Sequence, residues 1–181
     1  MNDKIHTIKQ WTRSAGKLDI SLHSSFKITG TAHKNPILFI GGVHGDEPEG
    51  VKMADELLNY LKESPSFSTD WVLIPCLNPD GFKKNQRVNA NAVDLNRNFP
   101  SICWSSDYEK DRYFPGNSPA SEPEIKALVD LIDKIKPQLI IHFHSWEPCI
   151  VYSNEKARLA AELFSSMCDY PIKSDIGYPT P

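Results

Sequence analysis

The sequence lacks closely spaced cysteines, which argues against two common ways of holding a small protein together. Its 181 residues include only 4 cysteines, at Cys76, Cys103, Cys149 and Cys168. No two of them form a C-x-x-C pair, so neither a disulfide framework nor a four-cysteine zinc site is expected. A chain of this length can bury a sizeable core without cross-links. We therefore expect reduced thiols.

Long apolar runs and a large excess of charge are also missing. No uninterrupted apolar stretch approaches the ~20 residues that a membrane-spanning helix needs. The segment from Met1 to Gln10 has no apolar centre of the kind found in secretory signals. The formal net charge of −3 does not favour binding to the phosphates of nucleic acid. These features predict a cytoplasmic protein with no membrane span and no nucleic-acid partner, and they leave the oligomeric state open.

Several apolar segments predict strands. Leu18 to Gly30 alternates between apolar and polar residues, which is typical of an edge or antiparallel strand. Three continuous apolar runs predict strands buried on both faces: Pro36 to Ile40, Trp71 to Leu77 and Leu139 to Phe143. A further short strand is expected from Cys149 to Tyr152.

Three segments predict helices. Glu49 to Leu61 has apolar residues at helical spacing. A second helix is expected to begin at a Ser121 cap, and a third to run from Glu155 to Met167 after a cap at Asn154. Between the first two helices, Phe82 to Ala120 is rich in Asn, Ser, Pro and Gly. It reads as one long loop, and loops of that length are usually functional.

This order of elements predicts an α/β fold. We expect one domain over residues 1–181, with a mainly parallel mixed sheet and helices on both of its faces. Sites in such sheets form where strands end. Polar clusters follow three of the predicted strands, at Gly41 to Glu47, Asn78 to Gly81 and His144 to Glu147. A functional site is therefore expected at this edge of the sheet.

The first of these clusters carries two candidate metal ligands. His44 and Glu47 lie three residues apart on a turn after a strand, so their side chains can face one point. Catalytic zinc uses three protein ligands and leaves one position for water. A distant histidine would have to be the third ligand. Taken alone, the pair is equally compatible with a solvated histidine before an acidic helix start.

Five motifs then occur in a fixed order: GGVHGDEPEG from Gly41, NPDG from Asn78, RVNANAVDLNRNFP from Arg87, PASEPE from Pro119, and the histidine-serine pair at His144. Together they resemble the zinc metallocarboxypeptidase family, and most of all its bacterial murein peptide amidase branch. The resemblance covers about residues 35–148.

The resemblance implies a role for several residues. His44, Glu47 and His144 match the three zinc ligands of the family, so zinc is the expected cofactor. Arg87 matches the arginine that polarises the scissile carbonyl. Asn96 and Arg97 match the pair that holds the terminal carboxylate of a peptide substrate.

The remaining polar residues are assigned more modest roles. We expect Asp94 to brace the loop rather than to react, and His142 to be a packed histidine beside the site rather than a ligand. His6, His23 and His33 are interpreted as ordinary surface residues.

One functional residue of the family has no counterpart here. The family uses a glutamate as general base on a strand well beyond the third ligand, and nothing after His144 matches that strand. We therefore expect a chain truncated at its C-terminus, with weak catalysis, and Glu147 is the first alternative base. A general carboxypeptidase, an aspartoacylase-like deacylase and a non-catalytic zinc-bearing peptide-binding module remain open as alternatives.

Overall fold

The structure is a computed structural model that describes residues 5–29, 35–63 and 68–173. Its main sheet has five strands: β1 His6–Arg13, β2 Asp19–Ser24, β3 Ile37–Ile40, β4 Trp71–Ile74 and β5 Leu139–His142. Their order across the sheet is β1-β2-β4-β3-β5.

The sheet is mixed, and its parallel strands determine where the site lies. β3 pairs in parallel with β4 and with β5, so that Ile40 lies opposite Ile74 on one side and His142 on the other. β1, β2 and β4 pair antiparallel. Because three parallel strands end at one edge of the sheet, the loops that follow them are neighbours.

Helices cover both faces of this sheet. The structure has α1 Pro48–Glu63, α2 Pro79–Lys84, α3 Pro123–Ile135 and α4 Arg158–Cys168. Leu58 of α1 packs in one core cluster with Phe39, and Leu128 of α3 packs in the other with Leu38. Successive residues of β3 thus face opposite layers, which explains why its sequence is apolar throughout. The predicted α/β fold with helices on both faces is confirmed. None of the helices described is long and apolar enough to cross a bilayer.

Three strand predictions need correction. The segment predicted over Leu18 to Gly30 as an edge or antiparallel strand is the shorter β2, and Gly30 lies outside the described residues. β2 is antiparallel to β1 and β4, as predicted, but it lies between them and not at an edge of the sheet. The edge strands of the main sheet are β1 and β5. The sequence did not reveal β1, because most of its residues are exposed. The apolar run of β5 predicted burial on both faces, but this strand is only partly buried because it lies at an edge. The predicted strand from Cys149 to Tyr152 is reduced to β6 Ile150–Val151, which pairs with β7 Ile172–Lys173 in a separate two-stranded sheet.

Two predictions about helices and loops also differ from the structure. The N-cap of α3 is Glu122 and not Ser121, because the Ser121 hydroxyl bonds instead to the Glu122 carboxylate at 2.8 Å. The segment from Phe82 to Ala120 is not one unbroken loop. It contains the end of α2 and two short 3₁₀ helices, Leu95–Arg97 and Asp111–Tyr113.

Candidate metal centre

The loop between β3 and α1 carries His44 and Glu47 and follows the C-terminal end of β3. Gly42 adopts a φ of +59°, a conformation that favours glycine. Gly45 packs so tightly that an added Cβ would lie 1.9 Å from the carbonyl carbon of Gly81. Any side chain at Gly45 would therefore push the loop that carries His44 and Glu47 (the metal loop) away from the first turn of α2, which contains Gly81.

That turn is organised by Asn78, which braces two parts of the site at once. Its backbone N–H donates to Gly42 O at 2.8 Å. Its side-chain amide donates to Val43 O at 3.3 Å and to Arg87 O at 3.1 Å. A buried asparagine with all these partners fixes the metal loop relative to Arg87.

Three side chains converge beyond this turn. Glu47 Oε1 lies 2.8 Å from His44 Nδ1, and Glu47 Oε2 lies 2.8 Å from His144 Nδ1. The two imidazole rings are 4.8 Å apart between centres. One ligand atom from each residue can be chosen so that all three lie within 4.8 Å of one another. The structure thus brings together the three residues that the sequence suggested as ligands, and the group could hold one metal ion.

The far side of His44 is held by Asp94, which is fully buried. His44 Nε2 lies 3.2 Å from Asp94 Oδ1. A carboxylate on the second ring nitrogen is the usual partner of a metal-binding histidine, because it fixes the ring and its tautomer. With Nε2 as the donor to Asp94, Nδ1 is the nitrogen that faces Glu47 and is available to a cation. The donor set therefore fits zinc.

The charges around the site keep its carboxylates ionised. Burial alone would raise the pKa of Glu47, but its hydrogen bonds with His144 and His44 outweigh burial and hold that pKa well below its usual range. Burial would likewise lower the pKa of His44, yet its bonds to Asp94 and Glu47 raise it overall. The pKa of Asp94 is lowered by His44 and Arg87 despite its burial. Negative charge therefore persists at the point where a cation would bind.

The predicted substrate-binding residues lie beside this group. Arg87 Nε lies 2.7 Å from Asp94 Oδ2, and its Nη1 lies 3.6 Å from Glu47 Oε1. Arg97 Nε lies 3.6 Å from the same Asp94 oxygen. Asn96 donates its backbone N–H to Asp94 Oδ1 at 3.0 Å. One buried carboxylate thus gathers all three residues next to the metal group.

Two other residues near the site have packing or pairing roles. His142 stacks on His144 with ring centres 6.1 Å apart and contacts Phe99 at 6.0 Å. Burial first, and then the charges of His144 and His44, lowers the pKa of His142 to about 3, as expected for a packed neutral ring. Glu147 forms an ion pair with Lys173 of β7.

Two of the other three histidines, His6 and His23, lie on β1 and β2 and not in the metal-binding group. His6 and His23 are partly buried on β1 and β2, where His23 Nδ1 lies 3.0 Å from the Thr7 hydroxyl. They are less exposed than the sequence suggested, because they lie on paired strands. His33 lies outside the described residues.

Sequence reasoning missed two features of the site. Asp94 was expected to brace its own loop, but it also contacts His44, which lies 50 residues earlier. Tyr113 was not singled out, although its ring lies against both Arg87 and Arg97. The only signal for Asp94 was its place at the head of the DLNRNFP motif.

Comparison with known proteins shows the family to which this chain belongs. A sequence profile of the zinc carboxypeptidase family matches residues 4–171. The chain belongs to the zinc carboxypeptidase family. Over 155 residues it is 36% identical to murein peptide amidase A of Escherichia coli (strain K12), covering 80% of this chain and 62% of the relative. Over 155 residues it is 30% identical to murein peptide amidase A of Vibrio campbellii (strain ATCC BAA-1116), covering 80% and 60%.

The fold is also shared with a solved member of the family. The crystal structure of murein-tripeptide amidase MpaA from Escherichia coli O157 superposes with a TM-score of 0.73 and 29% identity, over 97% of this chain and 74% of that one. Family membership makes zinc the cofactor expected at the His-Glu-His group. The chain spans 62% of the length of the Escherichia coli (strain K12) relative.

Proposed function

We propose that His44, Glu47 and His144 bind zinc, and that the chain carries the metal site of a hydrolase. This hydrolase cleaves a peptide or amide bond next to a terminal carboxylate. The observation that supports the proposal most strongly is the convergence of three donor atoms within 4.8 Å, with two arginines beside them on the Asp94 carboxylate. A bound zinc ion supplies Lewis-acid chemistry and makes hydroxide available near neutral pH.

The proposed role of Arg87 is to act on the carbonyl of the bond to be cleaved. Its side chain is only 14% exposed, and its guanidinium lies beside Glu47. Its Nε is engaged by Asp94, which fixes the plane of the guanidinium. A preoriented cation stabilises the negative charge that develops on a carbonyl oxygen during attack. We assign Arg87 this electrostatic role and contact with substrate.

Asn96 and Arg97 are assigned to the terminal carboxylate. Both belong to the 3₁₀ helix Leu95–Arg97, which Asp94 caps through the Asn96 N–H. A guanidinium fork matches a carboxylate through two parallel hydrogen bonds, and a side-chain amide can add a third. A ligand with a free carboxylate at this end is therefore the expected partner.

We further propose that the substrate is a cell-wall peptide and that the bond cleaved joins γ-D-glutamate to diaminopimelate. Support comes from the 36% identity to murein peptide amidase A of Escherichia coli (strain K12). A general carboxypeptidase uses the same carboxylate-binding residues and is the nearest alternative. An aspartoacylase-like deacylase would not be expected to carry the DLNRNFP motif. A cytoplasmic location stays a prediction from the sequence.

A non-catalytic peptide-binding module is the second candidate. It is favoured by the ion pair between Glu147 and Lys173. Glu147 was the alternative general base, and its carboxylate is already paired with the Lys173 ammonium group. In this reading the chain holds zinc and a peptide carboxylate without cleaving the peptide.

Binding and hydrolysis by the zinc-loaded chain would separate these functions. We would compare L-alanyl-γ-D-glutamyl-diaminopimelate with a hippuryl amino acid and an N-acyl aspartate. Preferential cleavage of the tripeptide supports the amidase proposal, whereas preference for the hippuryl compound supports a general carboxypeptidase. Binding without cleavage supports the binding module. Cleavage of N-acyl aspartate alone would contradict the assigned substrate class.

A further inference from the structure

The ring of Tyr113 lies among three guanidinium groups. The Cζ atoms of Arg97, Arg87 and Arg112 lie 4.7, 5.4 and 5.7 Å from its centre. Two of these arginines are the proposed substrate-binding residues. The third is exposed and belongs to the same 3₁₀ helix as Tyr113. The aromatic face is therefore shared by the cations that the proposed chemistry requires.

Tyr113 is itself anchored to the site from two directions. Its neighbour Phe114 accepts a 2.8 Å hydrogen bond from the backbone N–H of Asp94. Its other neighbour, Arg112, donates to Asp46 Oδ2 at 2.9 Å. Asp46 lies between the proposed ligands His44 and Glu47 on the metal loop. The ring is thus tied both to the carboxylate that holds the arginines and to the loop that would hold the metal.

The charges explain why such a ring is useful here. Arg87 and Arg97 both pair with one oxygen of Asp94 through their Nε atoms, so a single carboxylate faces two cations. Cations held this close repel each other. The negative face of an aromatic ring attracts a guanidinium and favours a parallel, stacked arrangement. Asp94 holds one edge of each guanidinium group. The Tyr113 ring lies against the guanidinium face and restricts rotation about that edge.

We propose that Tyr113 is a positioning residue that orients Arg97 and Arg87 for the carboxylate and carbonyl of the substrate. This inference rests on the proposed role of Arg97 in carboxylate binding. Tyr113 contributes its aromatic face, so phenylalanine should replace it and an aliphatic side chain should not. The ion pair between Arg112 and Asp46 is exposed on the Arg112 side, and its contribution is expected to be smaller than that of the ring.

The first test measures discrimination between a carboxylate and an amide. The ligand is a reduced-amide analogue of L-alanyl-γ-D-glutamyl-diaminopimelate, which cannot be hydrolysed. The second ligand is the same compound with one carboxyl group converted to an amide, namely the diaminopimelate carboxyl on the carbon that bears the scissile nitrogen. We expect Tyr113→Leu to weaken binding of the acid by roughly 2- to 30-fold with little effect on the amide. Tyr113→Phe should bind like the wild type, and Tyr60→Leu, at a tyrosine 60% exposed on α1, serves as control.

The second test needs no ligand. In ¹⁵N-labelled zinc-loaded protein, the Nε–Hε resonances of Arg87 and Arg97 should carry a ring-current shift. Tyr113→Leu should abolish this shift and Tyr113→Phe should keep it. Unchanged resonances in Tyr113→Leu, or equal weakening of acid and amide, would overturn the positioning role. A wild-type protein that binds acid and amide equally would instead overturn the proposed carboxylate site, and the resonances would still decide the role of Tyr113.

Discussion

Replacing Asp94 with asparagine tests how the site is held together. The side chain keeps its size but loses its charge. Asp94 is fully buried and lies 3.2 Å from His44 Nε2, 2.7 Å from Arg87 Nε and 3.6 Å from Arg97 Nε. Asp94→Asn therefore removes the negative charge that orients one proposed zinc ligand and both arginines.

The expected effect on zinc binding follows from the contact with His44. Loss of a carboxylate behind a metal-binding histidine typically lowers metal affinity by about 10- to 100-fold, equivalent to about 1.4–2.7 kcal/mol. The effect on folding should be larger, because Arg87, whose side chain is 14% exposed, loses its closer counter-ion and keeps only Glu47 at 3.6 Å. Removing one partner of a buried ion pair costs about 3–5 kcal/mol. We expect a loss of that order in the free energy of unfolding.

The assay is zinc competition with a chelator, together with urea unfolding of the metal-free protein. Asp133→Asn is a matched control, since Asp133 is 70% exposed and pairs only with Lys136 among the ion pairs described. That variant should change stability by less than about 1 kcal/mol. If Asp94→Asn keeps zinc affinity within a factor of two of the wild type, the orienting role of Asp94 is refuted.

Three further predictions follow. Arg97→Ala should weaken binding of peptide acids by about 1.5–3 kcal/mol but hardly affect their amides, as measured by calorimetry; equal weakening of both would exclude the carboxylate role. Gly45→Ala should strongly reduce zinc content, because the new Cβ would meet Gly81 at 1.9 Å; metal analysis showing full occupancy would refute this packing argument. Burial raises the pKa of Cys76 to about 12, so at pH 8 its thiol should stay protonated. It should then react with iodoacetamide far more slowly than the exposed Cys103. Equal reaction rates of the two thiols, measured by mass spectrometry, would contradict the burial of Cys76.

The strands that the sequence predicted well are those with continuous apolar runs. β3 and β4 read as continuous apolar runs because α1 and α3 cover opposite sides of the sheet. β1 could not be recognised in this way, since its pattern is dominated by exposed residues and its place depends on pairing with β2. The N-cap of α3 was misassigned because the Ser121 hydroxyl accepts a hydrogen bond from the Asn98 amide and donates one to the Glu122 carboxylate. Such tertiary contacts override local capping preference.

For the site too, residues close together in sequence could be predicted, whereas contacts between residues far apart in sequence could not. His44 and Glu47 could be paired from their spacing, and the family motifs pointed to His144. The contact between Asp94 and His44 spans 50 residues, and the contact between Tyr113 and Arg97 spans two separate 3₁₀ helices. Spacing along the chain carries no signal for contacts of this kind. They arise from the folding of the segment between α2 and α3 over the edge of the sheet.

Metal stoichiometry tests whether His44, Glu47 and His144 bind one zinc ion. The purified wild-type chain, loaded with zinc and dialysed, should retain about one zinc ion per chain, since two histidines and one glutamate would supply the three protein ligands that a catalytic zinc site uses. His44→Ala and His144→Ala should each lose most of it, whereas His23→Ala on β2 should keep it. Stoichiometric zinc in both ligand variants would contradict the assignment.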